Sequence, residues 1–313
     1  MSRAIEAIVC IPTFRRPDWL ARTIGSVLAQ ETDFGFAVVV VDNDAGGQEG
    51  AARARTMFAD PGVEMRIVVE SAQGNCHAIN RAFGTALSEF PDARHFLMID
   101  DDEMALPGWL QAMVSTAKRE KADIVGGPVI RQFDVPVPES LAQHQLFVSI
   151  EGETRALDQI HGSGNCLIGR HVFEAMPKPP FDVRYNFLGG GDMDFFTRCK
   201  QAGFTTWWCA EAVVHEFVAA ERVTVKFLMQ RSIRTGSINY VVDRTHLSGP
   251  AAWAKNGVSL VLGAGRSFGL LLKGGSVVSA SHPLLVSVGR VVASLGFLPQ
   301  PYKAGAKPKP RRG

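Results

Sequence analysis

The sequence predicts an α/β fold: a mixed, mainly parallel sheet flanked by helices, followed by a helical extension toward the C-terminal end. Short apolar runs that stop at polar or acidic clusters alternate with stretches whose apolar residues recur at helical spacing, which is the signature of βαβ units. Runs such as Ala37 to Val41 are apolar without alternation, as strands covered on both faces are. The extension announces itself by charge. From Arg244 to Gly313 there are ten Lys or Arg and no Asp or Glu, so the first 243 residues carry 23 basic and 31 acidic side chains. An acidic body with a basic appendage follows.

Taken in order, Ala7 to Ile11 reads as a buried strand that stops at Pro12, and the loop Pro12-Thr13-Phe14-Arg15-Arg16 follows. Pro17 suits the first turn of a helix carrying Leu20, Ile24, Val27 and Leu28. Ala37 to Val41 ends abruptly in Asp42-Asn43-Asp44 and Gly46-Gly47. Met65 to Val69 is a third strand. Gly74 to Ser88 places Ile79, Ala82, Phe83 and Ala86 on one helical face. Phe96 to Ile99 runs straight into Asp100, Asp101 and Asp102. Pro107 to Lys118 is a helix with Leu110, Met113, Val114 and Ala117, and Ile124 to Gly127 is another strand.

Residues 133–162 are less regular, with a short helix expected over Glu139 to Val148. Asn165 to Gly169 reads as a strand. Three glycines, Gly189 to Gly191, lead into a helix from Asp192 to Ala202 with Gly203 as its C-cap. Thr205 to Cys209 and Ala212 to Val214 are β-like, the second ending at His215-Glu216. Val223 to Val242 is a helix bearing Lys226, Arg231 and Arg234. Beyond Pro250, the apolar runs Leu260 to Leu262, Leu270 to Leu272 and Leu284 to Leu298 are broken by Arg266, Lys273 and Arg290. The expected division is an α/β body over 1–220, a helical basic extension over 221–300 and a disordered basic tail over 301–313.

Composition narrows the class. Of 313 residues, 46% are hydrophobic and 20% charged, ordinary for a soluble chain with a real core. Cys10, Cys76, Cys166, Cys199 and Cys209 are odd in number, lack metal-type spacing and sit among apolar residues, so reduced core thiols of a cytoplasmic protein are expected. No signal peptide and no uninterrupted apolar stretch of transmembrane length is read. The basic stretch is read as lacking interleaved surface aromatics and the front of the chain is acidic, so no nucleic-acid partner is expected.

The acidic loops carry the chemistry. Open α/β sheets place ligands beyond the carboxyl ends of their strands, where the Pro12–Arg16 loop, Asp42 and Asp100–Asp102 would meet. Two carboxylates about 4 Å apart repel by about 4 kcal/mol at an effective dielectric near 20. Three together make sense around a cation, with one protonated, or splayed into solvent. In extended backbone Asp100 and Asp102 point the same way and suit one hard divalent ion; an acidic turn opening a helix is the plainer reading. Asp192, after three glycines, suits a general base or an N-cap. His215 is either structural or a nitrogen ligand beside Asp102. Arg15, Arg16 and Arg81 suit phosphate or plain solvent. The first strand is followed by neither a P-loop nor Gly-x-Gly-x-x-Gly, which disfavours a Rossmann dehydrogenase.

The series Pro12-Thr13-Phe14-Arg15-Arg16-Pro17, Val41-Asp42-Asn43-Asp44, Gly74 with Asn80-Arg81, Asp100-Asp101-Asp102, Gly191-Asp192-Met193-Asp194 and Val214-His215 resembles family 2 glycosyltransferases. It is most similar to bacterial exopolysaccharide and surface-glycan sugar transferases, over about residues 5–240. The resemblance implies a GT-A fold, a nucleotide-diphospho-sugar donor (UDP-linked), a divalent cation (Mg²⁺ or Mn²⁺) and inversion at the anomeric centre. Position by position, it implies Pro12, Thr13 and Arg16 at the nucleoside, Asp42 at the base and Asp100 at ribose or sugar. Phe14, Gly74, Asn80, Arg81 and Asp101 complete the donor side. Asp102 and His215 take the metal, Asp192 is the catalytic base, and Gly191 with Asp192 faces the acceptor. Many relatives have Glu-Asp where this chain has Gly191-Asp192, which weakens the acceptor side.

The expected acceptor is a glycan or a lipid-linked hydroxyl, and the expected place is the cytoplasmic face of the inner membrane. There the basic extension would touch anionic lipid; a small helical bundle packed on the body is the other reading. The rivals are a metal-dependent nucleotidyltransferase, which would need a glycine-rich basic loop that Pro12–Pro17 is not, and a non-catalytic nucleotide- or glycan-binding module on the same fold.

Overall fold

The computed structural model describes residues 4–160 and 162–298; the tail expected over 301–313 lies outside them. The chain opens with β1 (Ile5–Thr13), α1 (Pro17–Leu28), β2 (Gly35–Asp42), α2 (Glu49–Met57), β3 (Glu64–Val69), α3 (Asn75–Glu89) and β4 (His95–Ile99). There follow β5 (Glu103–Ala105), α4 (Trp109–Glu120), β6 (Ile124–Gly126), β7 (Val129–Phe133), α5 (Glu139–Ala142) and β8 (Arg155–Leu157). Next come β9 (Asn165–Gly169), α6 (Arg170–Ala175), α7 (Gly191–Gln201), β10 (Thr206–Trp208) and β11 (Val214–Val218). The long helices α8 (Val225–His246), α9 (Gly249–Leu272) and α10 (Val277–Ser294) close it. Among the described residues two units emerge, one of 4–132, 149–183 and 191–217, the other of 133–148, 184–190 and 218–298.

The first unit is built on an eight-stranded sheet in the order β3-β2-β1-β4-β9-β6-β10-β8. β3, β2, β1 and β4 run parallel, as do β6 and β10, while β9 runs antiparallel to both β4 and β6. This is the mixed, mainly parallel sheet expected. The central strands are fully buried from Ala7 to Ile11 and from Ala37 to Val41, which explains why they are uniformly apolar. One core gathers Leu20, Ile24 and Val27 of α1 with Trp109, Leu110 and Met113 of α4 against Val9, Ile11 and Val38. The other sheet face has an aromatic stack in which Phe83 lies 4.7 Å from Phe173 and Phe181 lies 4.6 Å from Phe195. All five cysteines are free and buried.

Several expectations are corrected. β5 precedes the helix expected from Pro107, which starts at Trp109, because Glu103–Ala105 pairs with β11 in a second, three-stranded sheet. β11 runs Val214–Val218, so His215 lies inside a strand and not just past its end. The helix expected over Glu139 to Val148 stops at Ala142. α2 was not expected, since it buries only Gly50, Ala51 and Ala54 and shows almost no apolar stripe.

In the second unit α10 packs along both α8 and α9, and the approach depends on small residues. A Cβ at Gly236 would run into the Val286 carbonyl, and one at Gly289 into the Ile233 carbonyl. Hydroxyls reinforce the contact: Ser232 Oγ lies 2.8 Å from His282 Nδ1, and Ser287 Oγ donates to the Ser259 carbonyl at 2.7 Å. Arg290, 4% exposed, donates to Asp243 Oδ2 at 2.7 Å and to Asn256 Oδ1 at 3.0 Å. α10 has the length and composition of a membrane-crossing helix, as a core helix of a soluble protein can also have.

Candidate active site

The site starts from register. Thr13, the last residue of β1, lies opposite Asp42, the last of β2, while β4 pairs alongside β1 and delivers Asp100 to the same edge. There Thr13 Oγ1 donates to Asp101 Oδ2 at 2.7 Å. Arg16 Nη1 bridges Asp101 Oδ1 at 2.9 Å and Asp102 Oδ2 at 2.8 Å. Arg15 takes a left-handed backbone (φ +56°) that turns its guanidinium to Asp44, donating at 2.8 Å from Nε. The loop after β1 is thus clamped to two acidic loops by charge-assisted bonds.

Asp100 to Glu103 forms a tight turn. Glu103 N donates to the Asp100 carbonyl and Asp100 N to Glu103 Oε2 at 3.0 Å. Gly164 leaves room, since a Cβ there would lie 2.9 Å from both Asp100 Oδ2 and Glu103 Oε1. Burial, and then the carboxylates of Asp102, Asp101 and Glu216, push the Asp100 carboxyl up to about 8. Burial and Asp100 likewise raise Glu103. Asp101 is raised by burial against the pull of Arg16. For the Arg16 guanidinium burial opposes the charge, but Asp101 and Asp102 outweigh it.

Asp42 is fully buried, its Oδ1 accepting from Asp44 N at 3.0 Å and its Oδ2 from Ala51 N at 2.8 Å. It shapes the loop between β2 and α2. Asn43 ties that loop to the next one, accepting from Gly74 N at 2.8 Å and donating to the carbonyls of Ala72 at 2.8 Å and Glu70 at 3.1 Å. Gly74 caps α3 at φ +138°, where a side chain would be strained. Asn80, expected at the donor, spends both ends of its amide on Phe181, donating to its carbonyl at 2.7 Å and accepting from its N at 3.0 Å. Arg81 is exposed on α3.

Gly189 and Gly190, at φ +92° and +96°, lead into α7, where Asp192 occupies the first turn. Its Oδ1 accepts from Met193 N at 2.8 Å. Burial, and then the carboxylates of Asp192, Asp182 and Asp194, raise the Cys76 thiol up to about 12. Cys166, in β9 with its thiol on the Ser163 carbonyl, is raised by burial and by Asp100, Glu103 and Asp192. Asp192 therefore lies in the same electrostatic neighbourhood as Asp100. Asp194 is buried and paired with Arg198 at 2.8 Å. On β11, His215 opposes Met104, and Phe217 N donates to the Asp102 carbonyl at 2.9 Å. Opposite residues share a face, so His215 lies diagonally across from Asp102 while Glu216 turns to Glu103.

A family model, Glycosyl transferase family 2, matches residues 8–175, more than half of the chain. The chain belongs to that family. This family 2 glycosyltransferase is 29% identical over 236 residues to the succinoglycan biosynthesis protein ExoM of Rhizobium meliloti, an alignment covering 74% of this chain and 72% of that protein. It is 29% identical over 139 residues to a glucosyl-dolichyl phosphate glucuronosyltransferase of Haloferax volcanii, 43% of this chain and 41% of that protein. Among solved structures, the mannosyltransferase PcManGT of Pyrobaculum calidifontis, in complex with GDP-Man and Mn²⁺, superposes with a TM-score of 0.56 at 16% identity, over 93% of this chain and 88% of that one. GalNAc-T7 with UDP, GalNAc and Mn²⁺ superposes at 0.53 and 12% identity, over 76% of this chain and 51% of that one. At such identities these likenesses establish the GT-A fold.

Of the residues expected at the site, Thr13, Phe14, Arg16, Asp101 and Asp102 share one hydrogen-bonded cluster, with Asp100 bonded to Glu103 in the adjoining turn, Pro12 in the strand behind it and His215 on the strand that pairs with β5. Asn43, Glu103 and Gly164 were given no role by the sequence, and Arg15, expected at phosphate or solvent, is paired with Asp44; Asn43 had a signal, because an Asn at a strand end favours side-chain bonds to loop backbone. Among the described residues no three His, Cys, Asp or Glu side chains are already gathered as a metal cage. The donor chemistry is of the kind a hard divalent cation takes: Asp100, Asp102, Glu103 and Glu216 are oxygen donors, Asp100 feels the charges of Asp102 and Glu216, and Arg16 already sets a positive charge against Asp101 and Asp102.

Proposed function

We propose that this glycosyltransferase moves a sugar from a nucleotide-diphospho-sugar, UDP-linked, to a hydroxyl of a glycan or lipid-linked acceptor in surface-polysaccharide synthesis, with inversion. The observation that carries the reading is the crowd of carboxylates after β4, bridged by Arg16 to the loop after β1 and sharing a sheet edge with Asp42. Support for the biological setting comes from ExoM being a succinoglycan biosynthesis protein. Support for the donor class comes from the GDP-Man, UDP and Mn²⁺ in the two structural neighbours.

In this reading residues 1–220 form the catalytic body and 221–300 an extension that touches anionic lipid at the cytoplasmic face of the membrane. Asp102 and His215, with Asp100 beside them, hold a Mg²⁺ or Mn²⁺ ion. When bound, it supplies positive charge against the diphosphate that leaves. Arg16 can release Asp102 and turn its guanidinium fork to a phosphate. Pro12, Thr13, Phe14 and Asp42 border the nucleoside, while Asn43, Gly74 and Asn80 hold the loops around it. Gly191 gives the acceptor backbone-close access to Asp192. The Asp192 carboxylate takes the acceptor's hydroxyl proton as that oxygen bonds to the anomeric carbon. The carbon–oxygen bond to the diphosphate breaks on the opposite face, its electron pair leaving with the phosphate.

The test is a screen of nucleotide-sugars for slow donor hydrolysis and for transfer by the purified protein with Mn²⁺. Asp102→Ala should abolish both, and Asp192→Asn should lower transfer roughly 10²–10⁴-fold while the fold persists. A folded Asp192→Asn protein with near wild-type transfer, or a product with retained configuration, overturns the mechanism.

A further inference from the structure

We infer that α9 is a lipid-embedded helix, its outward apolar face seated at the headgroup–acyl boundary of a bilayer that carries anionic headgroups. This deepens the membrane part of the reading above, replacing a salt-sensitive touch by apolar insertion, and it does not depend on the donor or the chemistry.

The helix is inside out. The residues that α9 buries in its own unit are Ala252, Asn256, Gly263 and Ser267, all small or polar. Its large apolar side chains face away: Val261 is 74% exposed, Leu272 72%, Phe268 63%, Leu262 53% and Trp253 51%. A helix stabilised by water-driven burial does the reverse. Close contact through glycine and hydroxyl residues is how helices associate where the solvent is itself apolar. α9 and α10 meet in that way: a Cβ at Gly263 would strike the Pro283 carbonyl and Ser287 Oγ, and Ser259 Oγ lies 2.9 Å from Ser287 Oγ.

Charge names the occupant. At about 100° per residue, Trp253, Val261, Leu262, Phe268 and Leu272 spread over about half the circumference, and Lys255, Arg266 and Lys273 fall together on one border of that arc. An apolar arc edged by basic side chains is the pattern of helices that lie in a bilayer interface. No Asp or Glu follows Asp243, so nothing acidic in this stretch offsets attraction to anionic lipid.

The experiment is flotation of the full chain with vesicles of phosphatidylcholine alone and of phosphatidylcholine with phosphatidylglycerol, in low salt and in about 1 M sodium chloride, which shortens the screening length to about 3 Å. The expected result is binding to both vesicle types that persists in high salt, tighter to the phosphatidylglycerol vesicles in low salt and losing only that preference when salt is added. The double variant Leu262→Asp, Phe268→Asp should bind at least about tenfold more weakly. Both side chains are exposed, so the variant should keep its circular dichroism and its urea midpoint, and Leu262→Ile, Phe268→Leu should bind like wild type. Binding only to phosphatidylglycerol vesicles and release by salt would overturn insertion while leaving the peripheral contact standing. Failure to bind either vesicle overturns both. If the chain instead self-associates in sedimentation and the double variant makes it monomeric, the face belongs to a second copy and insertion is wrong.

Discussion

Replacing Arg16 by Met is the sharpest probe of how the acidic turn is held together. Nη1 of Arg16 bridges Asp101 and Asp102 at 2.9 and 2.8 Å, and Asp101 is only 6% exposed. Opposite charges about 4 Å apart attract by about 4 kcal/mol at an effective dielectric near 20, so the two pairs amount to about 8 kcal/mol. The Arg16 side chain is 39% exposed, and its desolvation counts against it, so roughly a third to a half of that survives. Arg16→Met should therefore destabilise the protein by about 3–4 kcal/mol, read from urea denaturation by tryptophan fluorescence. The variant should also respond more strongly to Mn²⁺ than wild type, because the ion no longer competes with the guanidinium for Asp102. At a hundred times its Kd a bound ion adds about 2.7 kcal/mol. A variant within about 0.5 kcal/mol of wild type, with no larger response to Mn²⁺, would refute the idea that Arg16 acts as the resident counter-ion of this cluster.

Other perturbations test other links. Asn43→Ala removes three hydrogen bonds from a buried side chain and should cost about 2–3 kcal/mol in urea denaturation, with proteolysis increasing between residues 70 and 75. Asp123 accepts from Thr205 N, Thr205 Oγ1 and His171, which outweigh its burial and hold its carboxyl below the usual range. A carboxyl depressed on folding stabilises above its unfolded value, so the deficit of Asp123→Asn should be largest at neutral pH. It should shrink as pH falls below about 4, and a pH-independent deficit would rule this out. Gly236→Ala forces a methyl into the Val286 carbonyl and should lower stability by more than about 2 kcal/mol by calorimetry, whereas Gly257→Ala, on open space, should be neutral or better.

The parallel strands were legible because burial on both faces leaves only apolar residues between Ala7 and Ile11 or Ala37 and Val41, and α1, α3, α4 and α7 because a stable helix needs a buried stripe. What escaped were elements whose stability is tertiary. β5 and β8 are three residues each and have no period to detect, while α2 rests on glycine and alanine. The placement of His215 inside β11 follows from pairing with β5, which spacing along the chain cannot reveal. At the site the acidic residues were visible, and their division of labour was not. Asp42 and Asp101 look equivalent in a string of letters, yet one is wrapped in backbone amides and the other in Thr13 and Arg16.

The paired amides of Asn43 and Asn80 have a consequence for anyone grafting new substrate preference onto this chain. Asn43 fastens the loop after β2 to the start of α3, and Asn80, two turns further along the same helix, fastens the segment at Phe181. Three loops distant in sequence thus share one splint. A chimera that swaps one of them alone would carry half a latch, so the cassette to transplant is Asn43, Gly74, Asn80 and Phe181 as a set.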